Sequence, residues 1–137
     1  MDRQLIKGAG QRAGLELDSA SLEAVAFFIE RLKEANRHVN LTAITDDEAI
    51  ASLHLEDSWH LSSHIPLGSR LVDVGTGAGF PGLALRLVRP DLDVTLLDST
   101  RKKINFLKET IQALGLDGVK ALHRSEERRV GKECRSR

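Results

Sequence analysis

A single cysteine, Cys134, stands in 137 residues, so no internal disulfide can form and a disulfide-stapled scaffold is excluded. No apolar run approaches the ~18 residues that a membrane span needs. The opening Met1-Asp2-Arg3-Gln4 lacks the apolar core of a secretory signal, so a cytoplasmic chain is expected. Residues 1–123 contain no internal repeat and no low-complexity tract, and the composition, 41% hydrophobic and 29% charged, excludes a collagen-like or a disordered chain. Also missing is any Ser/His/Asp set or pair of carboxylates in a plausible loop, the arrangements that nucleophilic and acid–base hydrolysis require. What remains is about one domain of ordinary composition with 11 glycines, four of them within the eight residues 75–82.

The formal charge is zero but unevenly placed. Residues 124–137 carry 6 Lys+Arg against 3 Asp+Glu and the only cysteine, which leaves 14 against 17 in the first 123. The stretch Arg124-Ser125-Glu126-Glu127-Arg128-Arg129-Val130-Gly131-Lys132-Glu133-Cys134-Arg135-Ser136-Arg137 resembles the translation of a common DNA-sequencing adapter. We therefore expect 124–137 to be a non-natural tail without fixed structure, rather than a basic arm for nucleic acid, and the gene to be cut off near His123.

Between Asp18 and Arg37, Leu22, Val25, Ala26, Ile29 and Leu32 recur at i, i+3, i+4, i+7 spacing behind the possible caps Asp18, Ser19 and Ser21. This predicts an amphipathic helix with Phe27 and Phe28 as core candidates. A second helix is predicted from Asp46 to about Ser63, with Asp46 as cap, Asp47 and Glu48 at the positive end of the dipole, and Trp59 in the core. Residues 1–68 thus read as an N-terminal helical segment. The period then changes. Arg70–Val74, stopped by Gly75, and Val94–Leu97, stopped by Asp98-Ser99, read as buried parallel strands. Pro81–Val88 offers a short helix, Thr100–Leu114 a longer one ended by Gly115, and Val119–Leu122 a third strand. The order β-α-β-α-β predicts an α/β class, with residues 69–123 forming the first half of a doubly wound parallel sheet.

The chemistry concentrates in Asp73-Val74-Gly75-Thr76-Gly77-Ala78-Gly79-Phe80-Pro81-Gly82, where the first strand passes into a helix. Glycines there let the backbone turn tightly and let a ligand lie against main-chain N–H groups. Gly77 to Gly82 satisfies G-x-G-x-x-G, the dinucleotide pattern, although this register starts late relative to Val74. The other register, Asp73-x-Gly75-x-Gly77-x-Gly79, resembles the first motif of Rossmann-like S-adenosylmethionine methyltransferases. Asp98, 23 positions after Gly75, can accept from both ribose hydroxyls in either case. An NAD-dependent oxidoreductase is accordingly the alternative enzyme, and an inactive, non-enzymatic fragment the alternative outside enzymes.

Further blocks narrow the choice. Asn40-Leu41-Thr42-Ala43-Ile44 is followed, ten positions after Ile44, by His54-Leu55-Glu56-Asp57-Ser58, then by the glycine loop and Leu96-Leu97-Asp98-Ser99. In this order and spacing the chain resembles, over residues 20–123, the bacterial 16S ribosomal RNA guanine-N7 methyltransferases of the glucose-inhibited division protein B family. The resemblance implies S-adenosyl-L-methionine as cofactor, touched by Gly75 and Phe80 with Gly77 and Asp98 close by. It implies 16S rRNA or the small ribosomal subunit as substrate. A further cofactor contact is implied after the third strand, where a family-like Arg-x-Glu-Glu falls on Arg124 to Glu127, inside the adapter-like stretch, and is not carried over. Guanine N7 has a lone pair and no proton to lose, so no general base and no catalytic residue is expected. The task left to the protein is alignment and accommodation of charge.

The remaining candidates have plainer readings. His54 and Asp57, at i, i+3, can act together on cofactor or RNA, but local hydrogen bonding suits them better, and one His with one Asp is too few for a metal site. Asn40 and Thr42 are read as caps or braces of the loop between helices. Arg101-Lys102-Lys103 make a weak phosphate footprint, and a first segment of net −3 does not announce an RNA binder.

Overall fold

A computed structural model of the chain describes residues 1–124. The expectation about the tail therefore falls, beyond Arg124, outside the described residues. Helix α1 (Arg3–Arg12) is capped by the Asp2 carboxylate, which accepts from the Gln4 N–H at 2.9 Å. Helix α2 (Ser19–Ala35) starts behind Asp18, whose carboxylate accepts from the Ser21 N–H at 2.7 Å. Its inner stripe is Val25, Ala26, Phe28, Ile29 and Leu32. Phe27 is a correction: 41% exposed, it lies under the Arg31 guanidinium, 5.9 Å from the ring centroid. Successive helical residues differ by about 100° in direction, so Phe27, two positions from both Val25 and Ile29, falls on the face opposite the stripe.

The second predicted helix begins as expected, with the Asp46 carboxylate accepting from the Ala49 N–H at 3.1 Å. It is not one α-helix. Asp47–Ala49 (α3) passes into a π-helix, Ile50–Glu56, then into Asp57–Trp59 (α4) and a 3-10 turn at Ser62–His64. Trp59 is fully buried and its indole N–H donates to the Ala84 carbonyl at 2.9 Å, so it is core.

Three parallel strands follow, β1 (Arg70–Val74), β2 (Asp93–Asp98) and β3 (Val119–His123), in the order β1-β2-β3, with Val72 opposite Thr95 and Leu96 opposite Ala121. Helices α5 (Gly82–Val88) and α6 (Arg101–Leu114) make the crossovers, and Gly115, at φ 64°, ends α6 in the left-handed conformation. This is the expected β-α-β-α-β half-sheet. One expectation fails. Residues 94–98 of β2 are all buried, but Leu71–Val74 of β1 are only half-buried, because β1 has a strand on one side only among the described residues. Ile6, Phe28, Ile29, Trp59, Leu83 and Leu96 belong to one apolar cluster spanning helices and sheet. Burial of each such side chain stabilises by roughly 1.5–3 kcal/mol. No helix of the described residues is long and apolar enough to cross a membrane.

Candidate functional site

Two aspartates frame the loop at the carboxyl edge of the sheet. The N–H groups of Gly75 and Thr76 both donate to the Leu97 carbonyl, at 2.8 and 3.0 Å, and so tie the loop to the end of β2. Asp73 Oδ2 accepts from the Thr76 hydroxyl at 2.7 Å and from the Gly82 N–H at 2.9 Å. Asp98 reaches the loop from β2: Oδ2 accepts from the Gly77 N–H and Oδ1 from the Thr100 N–H, each at 2.9 Å.

The four glycines divide into two jobs. Gly75 (φ 77°) and Gly77 (φ 59°) take left-handed backbone that other residues avoid. At Gly77 nothing lies within 4 Å of where a Cβ would be. Gly79 shares the positive φ (111°) and, like Gly82, also permits close packing. A Cβ on Gly82 would come within 2.5 Å of Leu96 Cδ2 and 2.8 Å of Asp73 Oδ2, and one on Gly79 within 3.1 Å of Leu107 Cδ2.

The two carboxyls are shifted in opposite directions. Burial pushes the Asp73 carboxyl above the ordinary aspartate value; the bonds from Thr76 and Gly82 oppose this and the nearby Asp98 charge adds to it. Burial also works on Asp98, but the Thr100 and Gly77 amides and the Lys103 ammonium outweigh it and hold its carboxyl below the usual value. Asp98 has only 7% of its surface exposed and is covered by the loop backbone at the rim, whereas Asp73, half-buried in β1, turns its carboxyl against the start of α5. An ionised carboxylate has about four acceptor positions, so Asp98 keeps capacity beyond its two amide partners. That suits a diol at the rim.

The start of α5 suits a pyrophosphate poorly. Pro81 has no N–H, the Gly82 N–H is taken by the Asp73 carboxylate, and those of Leu83 and Ala84 by the Gly79 carbonyl at 2.9 and 3.2 Å. A dinucleotide phosphate there would meet a negative charge and no free donor. The oxidoreductase alternative is disfavoured on this geometry.

Of the four expected contact residues, Gly75, Gly77 and Asp98 come together at the carboxyl edge. The Phe80 ring turns to the helical layer, stacked on the His54 imidazole (centroids 4.2 Å, planes 3° apart) and tilted against Phe28 at 5.4 Å. His54 Nε2 lies 2.9 Å from the Thr42 hydroxyl. Burial lowers the proton affinity of His54, and the charge of Asp57 partly restores it, so this expected pair meets only through its field. Thr42 is a brace as expected, its Oγ1 accepting from the Ile44 N–H at 3.1 Å. Asn40 is exposed, and the loop is held by Asn36, whose Oδ1 accepts from the Leu41 and Thr42 amides at 2.8 and 3.0 Å. Sequence reasoning missed Asn36 and Thr76. The Asp73-x-x-Thr76 spacing, which allows a local side-chain bond, was the available signal for the latter. Arg101 and Lys102 stand exposed on the first turn of α6. Among the described residues no three His, Cys, Asp or Glu side chains gather as a metal site requires.

Comparison with known proteins adds relatives to this geometry. The family model GidB, rRNA small subunit methyltransferase G, matches residues 21–135. The ribosomal RNA small subunit methyltransferase G of Geobacter sp. (strain M21) is 44% identical over 121 residues, covering 88% of this chain and 56% of that protein. The protein of the same name from Clostridium perfringens (strain 13 / Type A) is 42% identical over 134 residues, covering 96% and 56%. The chain thus spans about half the length of the curated relatives it matches. Among solved structures it is similar to a chain described as a protein-L-isoaspartate O-methyltransferase of Plasmodium falciparum, in complex with S-adenosyl-L-homocysteine. The TM-score is 0.52 at 18% identity, over 88% of this chain and 62% of that one, a likeness of fold.

Proposed function

The chain belongs to the GidB family, and from that membership we propose that it is the cofactor-binding half of an S-adenosyl-L-methionine-dependent methyltransferase acting on N7 of a guanine in 16S rRNA. The observation that carries the proposal is the loop itself: its open face at Gly77 adjoins the Asp98 carboxylate, while the start of α5 is closed to phosphate by Asp73. Asp98 would accept from the ribose hydroxyls. Gly75 and Gly77 would let the cofactor lie close to the backbone, and Phe80, its ring committed to His54 and Phe28, would contribute through its backbone or exposed edge. The sulfonium supplies the methyl group. Guanine N7 attacks with its own lone pair, so the residues here bind and orient rather than move a proton. Ribosomal RNA places the protein in the cytoplasm, with the small subunit or its RNA as partner.

Among the described residues only one half of a doubly wound sheet is present, and such enzymes bind across the carboxyl ends of both halves. Methyl transfer therefore belongs to a longer chain, and the 137 residues alone are expected to be inactive. Calorimetry on a full-length protein carrying this sequence tests the reading, with S-adenosylmethionine and NAD as titrants. We expect saturable binding of the first and none of the second. Mass spectrometry of nucleosides from treated 16S rRNA should show N7-methylguanine; NAD binding without S-adenosylmethionine binding sinks the proposal.

A further inference from the structure

We propose that His54 is a positioning residue of the cofactor site: stacked on Phe80 and tethered to Thr42, it sets the shape of the glycine loop. The inference rests on the function proposed above. The loop has few side chains by which it can be held. From Gly75 to Gly79 it carries three glycines, an alanine and a threonine, so Phe80 is its one large handle. That handle is connected to the ligand side. The N–H groups of Gly79 and Phe80 both donate to the Thr76 carbonyl, at 3.0 and 3.3 Å, and Gly77, the next residue, gives its amide to Asp98. Rotation of Phe80 would pull on Thr76 and disturb the Gly77–Asp98 contact.

Two rings hold Phe80, Phe28 of α2 and His54 of the π-helix. His54 is fixed in turn by the Thr42 hydroxyl, and Thr42 by its bonds to Asn36 and Ile44. A line of contacts, Asn36–Thr42–His54–Phe80, thus runs from the helical layer into the loop. An imidazole suits this place. Its face stacks flat on Phe80 at 4.2 Å while its edge meets a hydroxyl, two contacts that no aliphatic side chain makes together. The role also accounts for a half-buried histidine whose burial disfavours its charge and which does not hydrogen-bond its expected partner Asp57.

The experiment uses the full-length protein with His54→Ala, His54→Phe, Phe80→Ala and Thr42→Val. Calorimetry with S-adenosylmethionine is read beside steady-state kinetics on 16S rRNA and thermal melts. His54→Ala should weaken cofactor binding about tenfold (1.4 kcal/mol) and raise KM for the cofactor more than it lowers kcat. His54→Phe, which keeps a ring on Phe80 but loses the bond to Thr42, should recover part of that affinity and retain the several-fold loss expected of Thr42→Val. His54→Ala and Phe80→Ala together should lose less than the sum of the single losses. A lower melting temperature with unchanged affinity overturns the proposal. Should His54→Ala fail to fold, Thr42→Val decides, with a several-fold loss expected and unchanged affinity overturning it. A wild type that binds no S-adenosylmethionine refutes the functional reading instead.

Discussion

Asp73 and Asp98 stand at the ends of neighbouring parallel strands, each accepts two hydrogen bonds, one of them from the glycine loop and the other from the start of the helix that follows, and they do opposite work. Asp73 gathers both donors on a single oxygen and turns toward the interior, where burial raises its proton affinity. Asp98 spreads its donors over two oxygens at the rim, where amides and Lys103 overcome burial and keep it charged. One carboxylate staples the loop to the helix start. The other is presented, charged, where a ligand can use it. The strands run the other way: β2, which ends in Asp98, is buried between two partners, and β1, which carries Asp73, is half-open at an edge among the described residues. Residue type and strand position alone do not assign a role; the direction of the donors does.

The largest effect should come from breaking the Asp73 side through Gly82. A methyl there meets Leu96 Cδ2 at 2.5 Å and Asp73 Oδ2 at 2.8 Å, so Gly82→Ala should cost about 3 kcal/mol in urea unfolding, at the upper end of overpacking losses. Gly77→Val meets open space and bears mainly the left-handed backbone, which costs about 1–2 kcal/mol. It should nevertheless abolish cofactor binding by filling the open face. Equal stability losses at the two glycines would erase the distinction between packing and ligand faces.

Amide substitution sharpens the comparison. Asparagine at 73 keeps an oxygen for both donors, so Asp73→Asn should change stability by less than about 1 kcal/mol, whereas Asp73→Ala leaves Thr76 and the Gly82 N–H without their acceptor and should cost about 1–3 kcal/mol. Asparagine at 98 must turn its NH2 toward one of two N–H donors, Gly77 or Thr100. Asp98→Asn should therefore weaken S-adenosylmethionine binding by roughly 10–100-fold, as the loss of a charged hydrogen bond does. Calorimetry and urea melts on both variants check this. If Asp73→Asn lost more affinity than Asp98→Asn, the roles would be reversed.

Local patterns made much of this legible. β1, β2 and β3 fall where their apolar runs lie, and the glycine motif sits at the predicted strand-to-helix turn. What was not legible depends on distant partners. The exposure of β1 follows from which strands flank it, which no run of five residues encodes. The π-helix at 50–56 has an apolar pattern that also fits an α-helix, so only the hydrogen bonding separates them. The place of Phe27 was readable, since it falls off the stripe that holds Phe28. The glycine pattern and the family resemblance single out Gly75, Gly77 and Asp98, but the His54–Phe80 stack joins residues 26 positions apart across two layers, and no spacing announces it.

The smallest effect, and the one most specific to the pair, is the pH dependence of stability. Asp98 has a folded value below its unfolded one, so its contribution is complete above the ordinary aspartate range and is lost as pH falls through the folded value. Asp73 is raised, so the folded state holds its proton more tightly than the unfolded chain. Its contribution is therefore greatest at low pH and declines as pH rises from the ordinary value through the folded one. Neither slope survives replacement by asparagine. With rising pH the stability gap between wild type and Asp98→Asn should widen on the acid side of the ordinary value. The gap between wild type and Asp73→Asn should move against the wild type on the other side. Urea titrations at a series of acid pH values measure both. Slopes of the same sign would mean that the two carboxylates share one environment, and the division of labour argued from their donors would fail.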